Sequence, residues 1–262
     1  MQDLNVAIVQ CNQVWEDKLS NFRNYESLFT TLKEGVDLIL LPEMFQTGFT
    51  MTTSLAENNK NSESILWLKK QAANNKAAIY TSLIIEEDNK TYNRGVFVLP
   101  DGTFSVYDKR KCFGLAGEDK YYAAGNSNTI VEYKGWKLQL HICYDLRFPE
   151  ISRCLFSQNS DSASYDALLY VANWPEKRIL HWDKLLAARS IENQSYTVAC
   201  NRTGADGNGY EYNGHSACYS PDGVLLNEIT NKETIIQVQL KHNELQELRV
   251  RLPFLKDGFN VE

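Results

Sequence analysis

The chain is short of the features that mark several large functional classes. Basic residues are not in excess: 27 Lys and Arg stand against 33 Asp and Glu in 262 residues, a net charge of −6. An acidic chain with no basic cluster is a poor nucleic-acid binder, because neutralising phosphates supplies most non-specific affinity. No apolar run reaches the ~18–20 residues that a membrane-spanning helix needs, so no membrane partner is expected. The opening MQDLNVAIVQ lacks the charged-then-apolar pattern of a secretory signal and reads as a strand, which makes the cytoplasm the expected location. There are 6 prolines and no Ser/Gly/Pro-rich linker. One domain over residues 1–262 is therefore expected, with the C-terminal ~20 residues as a tail or dimer arm. None of the 6 cysteines forms a CxxC pair and none of the 4 histidines an HExxH pair. That argues against a zinc ribbon, a thioredoxin motif and a catalytic metal, and neither metal nor cofactor is expected. In a reducing compartment most of these thiols read as small core residues.

What the chain has in abundance is short runs of Val, Ile, Leu and Tyr. They fall at Val6–Cys11, Asp37–Leu41, Ala78–Ile85, Gly95–Leu99, Phe104–Tyr107, Thr129–Tyr133, Lys137–Ile142, Ala167–Val171, Tyr196–Asn201, His215–Tyr219 and Ile235–Leu240. Each has the length and composition of a strand. Leu19, Phe22, Tyr25, Leu28, Phe29 and Leu32 follow helical spacing, as do Ile65, Leu68 and Ala72. A third helix is expected from about Trp182 to Gln194, with Leu185, Leu186 and Arg189 on one side. Pro100-Asp101-Gly102 and Pro221-Asp222-Gly223 read as turns. So many apolar strands are best buried in an α/β fold of the α+β type: a four-layer α-β-β-α sandwich with two stacked mixed sheets.

Three segments carry chemistry. In KLQLHICYDLRFPE (Lys137–Glu150) a strand runs into Cys143, and Pro149 suits a first helical turn. A side chain at such a strand-to-helix corner is held on a sharp bend at the sheet end, the logic of a nucleophile elbow. Its backbone N–H groups can stabilise a thiolate and bind an oxyanion. The plain alternative is a buried core thiol. In DLILLPEMFQTGF (Asp37–Phe49) an apolar strand is followed at once by Glu43. Partial burial would raise that carboxyl towards neutrality and suit it to general-base work; a solvated loop acid is the alternative. In YDKRKCFGLAGEDKYYAAG (Tyr107–Gly125) a strand delivers Lys109 to its end, where it can supply positive charge to a developing oxyanion. A surface charge run is the alternative there, and Glu118 has the same two readings.

Taken in this order, LPEMFQTGF, YDKR and ICYDLRFPE resemble the nitrilase superfamily of carbon–nitrogen hydrolases over nearly the whole chain. The resemblance implies a Glu43–Lys109–Cys143 triad, the backbone N–H of Tyr144 as a second oxyanion donor, and Glu118 as the further glutamate that positions Lys109 or the substrate. Segments such as KRKCFGLAGEDKYYAAGN and VANWPEKRILHWDKLLAARSIENQSYTVACNRTGADGNGYEYNGHS are similar to the bacterial omega-amidase branch. That branch acts on the terminal amides of 2-oxoglutaramate and 2-oxosuccinamate. The branch's usual KRHLF reads here Lys109-Arg110-Lys111-Cys112-Phe113, so Lys111 replaces a His and Cys112 a Leu. By the same analogy, helices beginning near Phe148 and Leu180 form a homodimer or larger assembly.

An omega-amide of a dicarboxylic acid carries a carboxylate at its far end, so the pocket should offer a cation. Arg147 stands where related carbamoylases place one, and an arginine fork suits a carboxylate. Pairing with Asp145 or Glu150 is its structural alternative. Trp174, after another strand end, reads as a pocket wall or as packing, and Phe45, Phe49 and Phe113 are further pocket candidates. The expected partner is a small amide. The competing functions are hydrolysis of N-carbamoyl amino acids, simple amides or nitriles by the same triad, and a non-catalytic binding protein on this fold. A thiol redox protein would need a resolving cysteine near Cys143, and Cys154, about three helical turns further on, is too far for a ready disulfide.

Overall fold

The computed structural model describes residues 2–258 and 260–261. Two mixed sheets lie back to back. The first runs Thr234–Leu240, Leu4–Gln10, Leu38–Leu40, Ala78–Glu87, Lys90–Val98, Phe104–Asp108, with Glu57–Asn58 added beside Ala78–Glu87. The second runs Ala217–Tyr219, Tyr196–Cys200, Ala167–Val171, Trp136–Ile142, Ile130–Tyr133. The central pairings are parallel (Val6 opposite Leu38, Leu38 opposite Ala78, Leu169 opposite both Leu140 and Val198) and the outer ones antiparallel.

The two-residue period of a strand sorts its side chains into layers. Leu4, Val6 and Ile8 join Leu38, Leu40 and Tyr80 against Leu138, Leu140, Leu169, Val171 and Val198 between the sheets. The alternate residues Ala7, Val9, Ile39, Leu41 and Ile79 face helices Lys18–Phe29 and Glu63–Asn75 through Phe22, Tyr25, Trp67 and Leu68. On the far side Leu168, Tyr170 and Ala199 meet helix Ile179–Asn193 through Trp182 and Leu186. This is the expected α-β-β-α sandwich. Strands buried on both faces read as continuous apolar runs, which is why they were visible without alternation.

The two helices on the first sheet start where side chains satisfy free amides: Asp17 accepts from Ser20 N–H, and Ser62 from Ile65 N–H. Leu19 lies in the helix Lys18–Phe29 but is exposed to solvent rather than on its buried face, and Leu32 falls beyond the helix end. The larger departure follows Cys143. Instead of an extended helix, the chain makes a 3-10 turn over Cys143–Arg147 and one α-turn over Pro149–Ser152, with Pro149 in its first turn. The helix expected near Phe148 is therefore a single turn, and Cys154 lies beyond it, buried, with its N–H bonded to Asn193. Beyond Lys241, His242–Arg251 is a helix that buries Leu245 and Leu248.

Below the Cys143 corner lies His141, wholly buried between Tyr107 and Tyr170, its ring 5.8 and 5.0 Å from theirs. Burial, helped by the charges of Arg110 and Arg189, lowers its pKa to about 3. In the unfolded chain it titrates near 6.5. As pH falls below 6.5 only the unfolded state gains that proton, so stability is lost progressively towards pH 3. Asp145 works in the opposite sense: burial raises it to about 6, so the folded state takes up its proton first. Comparing His141→Gln with the parent isolates the histidine. The parent is expected to lose about 2 kcal/mol more than the variant between pH 6.5 and 5, read from urea unfolding at both pH values. Parallel pH dependences would refute a neutral buried His141.

Candidate active site

The carboxyl ends of the central parallel strands open on one edge of the sandwich, where open α/β sheets usually bind ligands. Leu38–Leu40 leads through Leu41 and Pro42 to Glu43, Trp136–Ile142 leads to Cys143, and Ala167–Val171 leads to Asn173 and Trp174. Lys109 arrives from the end of Phe104–Asp108, its N–H bonded to Asn93 O at 3.0 Å. Four segments far apart in sequence thus meet at one point.

Their meeting is a buried charge cluster. Lys109 Nζ donates to Glu43 Oε1 at 2.8 Å and to both Glu118 oxygens at 2.9 Å. Lys109 is 1 % exposed and both glutamates 0 %. Asn93 Nδ2 bridges the two acids, donating to Glu43 at 2.8 Å and Glu118 at 3.1 Å. The second Glu43 oxygen accepts Asn173 N–H at 2.9 Å, and Asn173 Nδ2 returns to Glu43 O at 2.6 Å. Glu118 also accepts Phe113 N–H. Buried carboxylates survive when charge and hydrogen bonds replace their lost water, and here both are supplied. Burial alone would push Lys109 down, but Glu118 and Glu43 outweigh it and hold the ammonium well above its ordinary value.

Cys143 sits beside this cluster with φ +46°, a left-handed conformation that costs a non-glycine residue energy. The bend turns the side chain out of the sheet to the floor of a cavity of about 690 Å³. Asp145 holds the corner: one oxygen accepts Ile142 N–H at 2.9 Å and Tyr107 O–H at 2.8 Å, the other Lys111 N–H at 3.0 Å. One carboxylate so ties the cysteine corner to the loop that follows Lys109. Burial, reinforced by the Glu43 charge, pushes the thiol well above its usual range, while Lys109 opposes this more weakly. Burial and the Glu43 charge both favour the protonated thiol. Tyr144 follows in the first turn, where an amide has no acceptor within its own helix.

The cavity is also bordered by Phe49, Phe113, Arg147 and Trp174. Phe49 lies 5.1 Å from Lys109 Nζ, and Phe113 packs 4.9 Å from the Tyr144 ring. Arg147 pairs with neither Asp145 nor Glu150: Glu150 takes Lys111 at 3.3 Å, and Arg147 lies over Trp174 at 4.7 Å. Trp174 is both wall and packing, since it borders the cavity and belongs to the core under the second sheet. Phe45 is not a pocket residue; it is wholly buried against Phe22, Tyr25 and Trp67. Lys111 and Cys112 do not line the cavity either. Cys112 packs beside Met44, Ile84 and Tyr122.

Sequence reasoning missed Asn93, Asn173 and Arg178. The asparagines carry no signal of their own, because Asn beside a strand reads as a turn. Arg178 and Asn173 do lie in the quoted VANWPEKRILHW segment. A further wall comes from the Thr203–Asn213 hairpin, where Tyr210 and Tyr212 reach the cavity. Buried Arg202 pins it by donating to Asn12 Oδ1 at 2.8 Å and Ala205 O at 2.9 Å.

Residues 5–250 match the carbon-nitrogen hydrolase family. The chain is 39% identical over 259 residues to the omega-amidase YafV of Escherichia coli, covering 98% of each. It is 32% identical to a 2-oxoglutaramate amidase of Bacillus subtilis, covering 90% of each. Among solved structures, a CN-hydrolase superfamily protein of Xanthomonas campestris with an arsenic adduct in its active site superposes with a TM-score of 0.96 at 36% identity, covering 100% of this chain and 99% of that one.

The cluster geometry has a direct consequence for stability. Replacing Lys109 with Met leaves Glu43 and Glu118 facing one another without a cation. Removing one partner of a buried charge cluster is expected to cost about 3–5 kcal/mol, seen as a lowered urea midpoint at pH 7. A loss under ~1 kcal/mol would mean that the two acids are not both ionised in the folded protein.

Proposed function

The chain belongs to the carbon–nitrogen hydrolase family, and we propose that within it the protein is an omega-amidase. It would hydrolyse the terminal amide of 2-oxoglutaramate or 2-oxosuccinamate to the dicarboxylic 2-oxo acid and ammonia. The observation that carries this reading is the buried Glu43–Lys109–Glu118 cluster at 2.8–2.9 Å beside a strained Cys143, whose cavity is also bordered by Arg147, an arginine with no carboxylate partner among the described residues.

A primary amide is a poor electrophile, and covalent catalysis divides its hydrolysis into two easier steps. Glu43 accepts the Cys143 proton as sulfur attacks the amide carbon, so no free thiolate needs to persist in the buried site. The oxyanion takes the Tyr144 N–H and the Lys109 ammonium. Lys109 gives two of its donors to a single carboxylate, Glu118, and one can swing to the oxyanion while both charge pairs remain. Each such donor typically lowers the barrier by about 3–4 kcal/mol. Glu43 passes its proton to the departing nitrogen, ammonia leaves and a Cys143 thioester remains. The same carboxylate then takes a proton from water, hydroxide adds to the thioester, and the proton returns to sulfur as the acid departs. Glu118 positions Lys109 throughout, and Arg147 meets the carboxylate at the substrate's far end, with Trp174, Phe49 and Phe113 as walls.

We read residues 1–262 as one domain that works in the cytoplasm, in repair or recycling of 2-oxo-acid amides. A homodimer or larger assembly fits the surface: helix Ile179–Asn193 leaves Leu180 and Ile191 exposed about three turns apart, and the adjoining turn leaves Val224 exposed.

Intact-mass measurement after brief exposure to 2-oxoglutaramate tests the chemistry. The parent should carry an acyl adduct on Cys143. Cys143→Ala should carry none and lose at least about 10³-fold in ammonia release. Unchanged turnover in that variant would remove the nucleophile. Faster turnover of an N-carbamoyl amino acid than of 2-oxoglutaramate would move the enzyme to another substrate class.

A further inference from the structure

The wall of the cavity holds a second cation that the chemistry above leaves unused. Arg178 ends the turn Glu176–Arg178, and its carbonyl accepts Trp174 Nε1–H at 2.9 Å, which fastens the turn to the wall. Its guanidinium lies 5.1 Å from the Phe113 ring centre, as Arg147 lies 4.7 Å from that of Trp174. Phe113 rests on Tyr144, so the aromatic wall beside Cys143 carries two guanidiniums, and both border the cavity.

Neither arginine forms a salt bridge among the described residues. The acids near Arg147 are taken: Glu150 by Lys111, and Asp145 by Tyr107 O–H and the amides of Ile142 and Lys111. A polar contact of Arg147 is with His181 Nδ1 at 3.2 Å, which does not cancel its charge. The two cations also feel each other. Burial first, and then the Arg178 charge, lower Arg147 below the usual arginine range. Like charges held near one another in a partly desolvated cavity cost free energy that an anion placed between them recovers. Stacking on flat rings restricts each guanidinium without occupying its N–H donors. The wall is set up for an acceptor-rich planar group, and a carboxylate next to a 2-oxo group is one.

We propose that Arg178 is a specificity-determining residue that works with Arg147 to hold the carboxylate and 2-oxo end of the substrate, so that the site selects amides ending in an anion over neutral amides of the same length. This rests on the amidase function proposed above and adds a residue and a basis of selection to it.

The test is the ratio of kcat/KM for 2-oxoglutaramate to that for pentanamide, measured in the parent, Arg178→Gln, Arg178→Lys and the exposed neighbour variant Lys177→Gln. In Arg178→Gln the ratio should fall by about ten- to a hundredfold, mostly through KM for 2-oxoglutaramate. Arg178→Lys should restore part of it, because charge returns without the fork, and Lys177→Gln should leave it within twofold of the parent. A parent that prefers 2-oxoglutaramate and an Arg178→Gln ratio within twofold of it would overturn the role of Arg178 alone. An equal loss on both amides would make Arg178 a structural residue and overturn it as well. A parent with no preference for the anionic amide would overturn the substrate reading, and this proposal with it.

Discussion

One ammonium between two carboxylates, sealed from water, is the constraint around which the rest of the site is arranged. Glu43 and Glu118 are 0 % exposed, and without Lys109 each would be a buried anion facing another. The cluster also fixes geometry. Glu43 binds the Asn173 amide and Lys109 binds the Phe113–Glu118 loop through Glu118, so the ends of three strands and one loop share a few hydrogen bonds. A carboxylate located this tightly can serve as a proton shuttle without rearranging between steps.

The elbow supplies what the charge cluster cannot, an exposed face of sulfur. Cys143 comes off the strand Trp136–Ile142 at φ +46°, and Asp145 stabilises the bend by accepting from Ile142 and Lys111. Strain of this kind persists only where surrounding contacts over-determine it. Those contacts come from the sandwich: Ile142 is packed between the sheets, and Leu146, just past the corner, is packed on the opposite face of the second sheet. The rigid layer on either side is what keeps the corner from relaxing.

Around the sulfur, electrostatics divides the cavity. Its floor holds Cys143 and Lys109, with the two buried carboxylates Glu43 and Glu118 behind them. Its aromatic wall holds Arg147 and Arg178, neither in a salt bridge among the described residues. The changes at Lys111 and Cys112 fall outside the cavity lining, where Lys111 meets Glu150 and Cys112 fills a small apolar cluster.

Much of this was legible in the residues. Strands buried on both faces must be apolar throughout, so their runs stood out, and the layer order followed from their number and the amphipathic helices. Glu43, Lys109 and Cys143 were legible as strand-end residues, but each alone kept a plain alternative, and what joined them was the resemblance of three motifs in order to the nitrilase superfamily. The short turn after Cys143 was not legible, because Pro149 is compatible with either one turn or several and packing decides which. Nor was Arg147 decided, since an arginine near Asp145 and Glu150 in sequence pairs with them by default. Tertiary structure gives those acids to Lys111, Tyr107 and two amides instead, and leaves the guanidinium on Trp174. Asn93, Asn173 and Arg178 acquire their roles from neighbours distant in the chain. Local sequence determines which groups stand at the strand ends, but hydrogen-bond partners and burial are properties of the packed layers, and these decide what each group faces.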